Sequence, residues 1–177
     1  MDMKSLRVVC FICEWNEGRS PHLEMSVRLK LKAHGSTVET VSAGFSQADG
    51  INPLRKAFLL GVGVPVSEVD AHKSTIFGKD HLRADLFLVA ELPMKEKLLG
   101  MWPELKGRVM TVKGFAQGMT PDTENISNEE ARMEDAGGKG IDSKLELYRE
   151  HEKLAAKVAE RILKIAINSD SERAPKG

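Results

Sequence analysis

Cys13 ends an apolar run, and after five further residues come Arg19, Ser20 and Pro21, so that a nucleophile and a fixed cation bracket one short loop. Val8, Val9, Phe11 and Ile12 read as a buried strand, and the pattern after Ser20 reads as a helix, which makes the loop a strand-to-helix turn. Backbone N–H groups in such a turn point inward and form a concave nest for a tetrahedral anion. Arg19 adds a planar fork that matches two oxygens of a phosphoryl group. The same positive field favours the thiolate of Cys13, the form that attacks. A Cys and an Arg at this spacing alone would say little. Strand, Gly18, Arg19, Ser20, Pro21 and helix together favour phosphate chemistry over a core cysteine beside a surface arginine.

The elements that must hold this loop alternate along the chain. Leu23, Val27 and Leu31 recur every four residues up to Gly35, giving a first helix, and Thr37 to Val41 reads as a second strand. Ile51, Leu54, Phe58 and Leu59 suggest a helix that ends at the Gly61 to Pro65 breakers. Asp85 to Ala90 is almost wholly apolar, as a strand covered on both faces would be. A helix after Pro93, a strand over Arg108 to Val112 and a final helix carrying Leu147, Leu154, Val158, Ile162 and Ile165 complete the pattern. Such alternation predicts an α/β fold with a parallel sheet and its site beyond the carboxyl ends of the strands. Lys113 to Ile141 is polar and without period, and is expected to be an irregular lid or substrate wall.

A length of 177 residues suits a single domain, taken as 1–168, with a polar tail over 169–177 expected to fray. Lys plus Arg and Asp plus Glu both total 26, so no global field attracts nucleic acid or an acidic membrane, and anion affinity must be local. Cys10 and Cys13 share one strand and its exit, a poor disulfide framework that fits a reducing compartment. No second pair at zinc spacing follows their Cys-x-x-Cys, so a metal site is not expected. The sequence shows neither a long apolar leader nor an apolar run near ~18 residues, and a cytoplasmic protein without membrane spans is expected.

These residues resemble the low-molecular-weight protein tyrosine phosphatase family, whose relatives act on phosphoarginine and arsenate. Val9 to Pro21 is similar to the family's phosphate loop, and Ser42, Ala43 and Gly44 to its Ser-Ala-Gly turn after the second strand. His72, before Lys73 and Ser74, falls where the family has a structural His, and Asp135 falls where it has the Asp of an Asp-Pro pair. The resemblance spans most of the chain. It implies a four-stranded parallel sheet with helices on both faces, no metal or organic cofactor, and a phosphorylated protein or small phosphomonoester as partner.

The implied activity is a cysteine-dependent phosphatase working through a cysteinyl-phosphate intermediate, with protein phosphotyrosine as the foremost substrate. Cys13 would attack phosphorus while the loop Glu14, Trp15, Asn16, Glu17, Gly18, Arg19 and Ser20 holds the phosphoryl oxygens. Asp135 would protonate the leaving oxygen and then activate water. Ser20 would bond the thiolate, while Asn16, Ser42 and His72 brace the loop; Asn also tolerates a left-handed backbone. Read without the resemblance, Asp135 is one acid among Glu129, Glu130 and Glu134, and Ser20 equally suits a helix cap.

Several positions depart from the family pattern. Trp15 stands where a Gly is usual, Gly18 where a second Cys often precedes the Arg, and Ala136, Gly137 and Gly138 where Pro and aromatic residues wall the substrate ring. Glu14 and Glu17 put acids into an anion loop; at ~8 Å and an effective dielectric of ~20 each repels a unit negative charge by about 2 kcal/mol. They would suit a substrate with a cation near its phosphate, as phosphoarginine has. An arginine phosphatase, an arsenate reductase and a phosphate-binding module without turnover therefore stand as alternatives.

Overall fold

Apolar residues fill strand β1 (Val8–Cys13), and a strand of that composition needs cover on both faces. The computed structural model, which describes residues 6–173, gives it that cover. After β1 come α1 (Arg19–Ala33), β2 (Glu39–Gly44), α2 (Pro53–Gly61), α3 (Val66–Ala71), β3 (Leu86–Val89), α4 (Leu92–Met101), β4 (Val109–Thr111), α5 (Val112–Ala116), α6 (Asn128–Ala131) and α7 (Ile141–Arg173). The four strands are parallel in the order β2-β1-β3-β4. Strand order thus reverses at β1, and right-handed crossovers put α1 and α4 on opposite faces.

Phe11, Ile12, Leu86, Leu88 and Val109 are buried in one core with Leu23, Val27 and Leu31 of α1 and Val158 and Ile162 of α7. A smaller cluster of Met25, Leu59, Val64 and Val69 fastens α2 and α3 to α1. Asn52 caps α2, its side chain accepting the Leu54 N–H at 3.0 Å, and Pro53 follows at the position where a missing N–H costs nothing. No helix among the described residues is long and apolar enough to cross a membrane.

Three expectations change. The second strand does not stop at Val41 with a turn over Ser42 to Gly44; it runs on to Gly44, because Ala43 pairs with Ile12 and Gly44 with Cys13. Lys113 to Ile141 is no loose lid: it contains most of α5 and all of α6. Glu124, its side chain 1% exposed, accepts the Thr111 N–H at 2.8 Å and pairs with Lys95 of α4, while Ser127 and Glu130 form a reciprocal cap on α6. Lastly, α7 continues to Arg173, into the stretch over 169–177 expected to fray; its first helix breaker is Pro175, and residues 174–177 lie outside the described residues.

Gly44 is where the sheet meets the Cys13 loop. A Cβ there would stand 2.6 Å from the Ser46 carbonyl, 2.8 Å from the Asn16 nitrogen and 2.9 Å from the Glu14 carbonyl, all backbone atoms. Gly44→Ala should therefore lower the unfolding free energy in urea by about 2 kcal/mol. Gly100→Ala, on α4 with nothing within 4 Å, should raise it by about 0.5 kcal/mol.

Candidate active site

Cys13 closes β1 at the carboxyl edge of the sheet, beside the point where strand order reverses, and α1 begins at Arg19. Asn16 shapes the turn between them. It is fully buried and has φ 49, the only positive φ outside glycine among the described residues. Its amide nitrogen donates to Ser20 Oγ at 3.0 Å and Ser42 Oγ at 2.8 Å, and its Oδ1 accepts the Thr75 N–H at 3.0 Å. The backbone is fastened through carbonyls: Glu14 O accepts from Ser46 N–H, Trp15 O from Ser74 Oγ and Asn16 O from His72 Nε2. With its carbonyls tied outward, the loop keeps N–H groups for its concave side.

Ser20 Oγ lies 3.0 Å from Cys13 Sγ. Because Asn16 donates to that oxygen, the hydroxyl proton is shared between two acceptors, the sulfur and the Ala43 carbonyl at 3.3 Å; Ser20 lies inside the first turn of α1 and does not cap it. Ser42, whose own hydroxyl bonds Glu24, and His72 both reach the loop through Asn16, so the structure brings these brace candidates together. Cys10 is buried in mid-strand, and its thiol is pushed up by burial. Three steps of about 3.3 Å along the strand put it about 10 Å from Cys13, beyond disulfide reach.

Arg19 is only 6% exposed. Its Nη1 donates to Glu91 at 3.2 Å and to the Met133 carbonyl at 3.1 Å, its Nη2 pairs with Asp135 at 3.1 Å, and its buried Nε has no partner. Asp135 therefore does meet Arg19, with its side chain 56% exposed and its other oxygen accepting the Gly137 N–H at 2.8 Å. Both border a cleft of about 330 Å³ with Cys13 at its wall. Trp15 and Glu17 line the cleft too, whereas the Glu14 side chain turns to Lys97.

Arg55 and Tyr148, which sequence reasoning missed, line the same cleft. Arg55, on α2, is 2% exposed, stacks over the Tyr148 ring at 3.9 Å, and comes within 3.6 Å of where a Cβ on Gly18 would be. Tyr148 supplies from α7 an aromatic wall that Ala136 to Gly138 lack. The one signal for it was its place on the apolar stripe of the last helix, one residue after Leu147. Among the described residues no group of three or more His, Cys, Asp or Glu side chains could hold a metal ion.

Fold and loop together put the protein among the cysteine-dependent phosphatases. The model of the family described as low molecular weight phosphotyrosine protein phosphatase matches residues 8–164, and the chain belongs to that family. It is similar to the low molecular weight protein tyrosine phosphatase from T. tengcongensis, at 25% identity over 87% of this chain and 98% of that one, with a TM-score of 0.72. The YwlE arginine phosphatase from Geobacillus stearothermophilus shares the fold at 23% identity, over 97% and 99% of the two chains, with a TM-score of 0.75. The tyrosine phosphatase Wzb from Escherichia coli K30, in complex with sulphate, shares it at 20% identity, over 88% and 98%, with a TM-score of 0.69. A search among curated proteins gives no match.

Behind the cleft lies a buried set of polar groups. Arg55 Nη1 reaches His22 Nδ1 at 3.0 Å and His151 Nδ1 at 3.1 Å. A guanidinium only donates, so both rings accept at Nδ1 and carry their proton on Nε2. His22 then donates to Glu152 and His151 to the Glu134 carbonyl. Burial, then the Arg55 charge, holds His151 down to about 2; burial also lowers His22, against the pull of Glu152. Burial brings Arg55 down to about 10, which leaves it charged at neutral pH.

Unfolded histidine takes up its proton near 6.5, whereas these rings resist it when folded. The unfolded state therefore binds more protons below that value, and stability present above it is lost as pH falls. Each of the two should contribute a slope approaching about 1.4 kcal/mol per pH unit below pH 6. Urea unfolding between pH 7.5 and 5 should show this fall, and His151→Gln should remove one histidine's share.

Proposed function

We propose that this protein hydrolyses aryl phosphomonoesters, phosphotyrosine in a protein foremost, through a phosphate bound covalently to Cys13. The observation that carries the reading is Ser20 Oγ at 3.0 Å from Cys13 Sγ, nearer than the Ala43 carbonyl at 3.3 Å and held in place by the Asn16 amide. A hydroxyl aimed at sulfur stabilises a thiolate, the form needed for attack. In the first step the Cys13 sulfur bonds to phosphorus in line with the leaving oxygen, while Arg19 and the loop N–H groups hold the equatorial oxygens.

Asp135 is the proton donor in this reading. A phosphoryl dianion drawn onto Arg19 competes for the Nη2 that pairs with Asp135, freeing the carboxyl to carry a proton to the departing oxygen. The phenol leaves with that proton. In the second step the Asp135 carboxylate takes a proton from water, whose oxygen bonds to phosphorus and releases the Cys13 thiolate and inorganic phosphate. Trp15, 52% exposed, and Tyr148 both border the cleft and offer aromatic surface to a flat leaving group.

One observation favours a second reading. Glu17 faces the cleft, and its carboxylate suits a guanidinium next to the phosphoryl group, which makes phosphoarginine the competing substrate. Arsenate reduction has less support, since Cys10 is buried out of reach of Cys13.

Vanadate-sensitive hydrolysis of 4-nitrophenyl phosphate, abolished by Cys13→Ser, is the expected result; binding of phosphate with no turnover by the wild type would sink the enzyme reading. In a panel of peptides, kcat/KM for phosphotyrosine should exceed that for phosphoarginine and phosphoserine, and the reverse order for arginine would hand the assignment to the second reading. Asp135→Asn should lower kcat/KM for phenyl phosphate by about 10²-fold and for activated esters much less.

A further inference from the structure

The segment that bears Asp135 lacks the stiffness a proline would give it, since Ala136, Gly137 and Gly138 follow the acid. It lies outside regular structure and is exposed at Glu134, Asp135 and Gly137. A general acid nonetheless has to stand within hydrogen-bond reach of the leaving oxygen. Once a phosphate draws Arg19 away from the direct pair with Asp135, the position of the acid comes from contacts made by its neighbours.

Those contacts can be traced residue by residue. The Met133 N–H donates to the Ala90 carbonyl at 2.8 Å, just past the end of β3, and the Met133 carbonyl takes Arg19 Nη1 at 3.1 Å. The Glu134 carbonyl takes His151 Nε2 at 3.1 Å. Met133 is thus tied to the phosphate loop and the sheet, while Glu134, the residue joined to Asp135, is tied to α7 through His151 alone. His151 can donate there because Arg55 holds its Nδ1 as an acceptor, which fixes the tautomer. Arg55 donates from the same Nη1 to His22 on α1, whose Nε2 is secured by Glu152 of α7. Three helices meet on one guanidinium.

We infer that Arg55 and His151 are positioning residues for the general acid: Arg55 sets the His151 tautomer, and His151 holds the backbone of Glu134 so that Asp135 faces the Cys13 cleft. The inference rests on the reading of Asp135 as proton donor. The tether takes over the task of a stiff residue after the acid, and it explains why a buried arginine with no carboxylate partner among the described residues is matched to two neutral rings. Replacing either ring nitrogen's role, acceptor toward Arg55 or donor toward Glu134, breaks the chain at one point and leaves Cys13, Arg19 and the loop amides as they are.

The test uses the full chain and compares phenyl phosphate with 2,4-dinitrophenyl phosphate, whose leaving group needs no proton. His151→Leu should reduce kcat/KM, which reports the step in which the leaving group departs, by about tenfold or more on phenyl phosphate while changing that for the dinitrophenyl ester less than about threefold. His151→Gln, which keeps a donor for the Glu134 carbonyl, should recover part of the loss. Equal falls on both esters, or no fall on either, would overturn the inference, since a merely structural role moves both together. Asp135→Asn run alongside separates the two layers: if it shows no leaving-group dependence, the acid assignment fails first. Should His151→Leu not fold, ¹⁵N-histidine spectra of the wild type decide. Two non-titrating rings protonated on Nε2 support the relay, and a proton on Nδ1 of His151 ends it.

Discussion

The amide of Asn16 is the interaction on which the site depends. A non-glycine residue in the left-handed region costs about 1–2 kcal/mol, and Asn16 sits there at φ 49 while fully buried. Bonds to Ser20, Ser42 and Thr75 from its side chain, and to His72 through its carbonyl, offset that cost at roughly 1 kcal/mol each. Each bond also orients a partner. Ser20 is turned toward the sulfur, and the strand end at Ser42 and the segment at His72 to Thr75 are clamped beneath the loop. The close approach of Gly44 to the same backbone belongs to this constraint, because the loop cannot take its shape unless the neighbouring strand leaves room for it.

Charge is arranged around that shape in two tiers. Arg19 faces Glu91 and Asp135, so its charge is largely balanced before any phosphate arrives, and what it offers is geometry and an unpaired Nε. Arg55 is buried against neutral imidazoles and an aromatic face with no carboxylate in contact, so its charge extends past Gly18 into the cleft, where it is felt by Asp135 and Cys13. Burial makes such a cation costly, which is why it comes down to about 10 and why both histidines stay neutral beside it. Against this, Glu17 contributes an acid at the rim, while Glu14 is matched to Lys97 and bears little on the anion.

How much of this the sequence discloses follows from how local each feature is. Cys13, Arg19 and Ser20 lie on one strand-to-helix turn, so spacing alone is enough to assemble them, and Asn16 is legible because Asn is one of few side chains suited to such a turn. The parallel sheet is legible from the apolar runs of β1 and β3. Arg55, Tyr148 and His151 are not legible, since they converge only when α2 and α7 pack on α1, and on a helix a buried arginine looks like any solvated one. The Ser127 to Glu130 spacing is a readable cap within a segment that otherwise lacks periodicity, and the extension of β2 to Gly44 depends on pairing with Cys13 that no local pattern displays.

The departures within the loop acquire a physical sense from that convergence. Gly18, where a side chain would have stood between the cleft and α2, leaves the Arg55 guanidinium at the wall, so a missing thiol becomes an added cation. Trp15 takes a position usual for glycine without breaking the loop, because the left-handed turn falls one residue later, on Asn16. With aromatic residues absent after Asp135, Tyr148 provides the wall and at the same time stacks beneath Arg55, so substrate shape and cleft charge are set by one contact. Loop interior, second helix and last helix thus act on the cleft together, and changing the residue at 18 or 148 alters the field felt by the phosphate as well as the room around it.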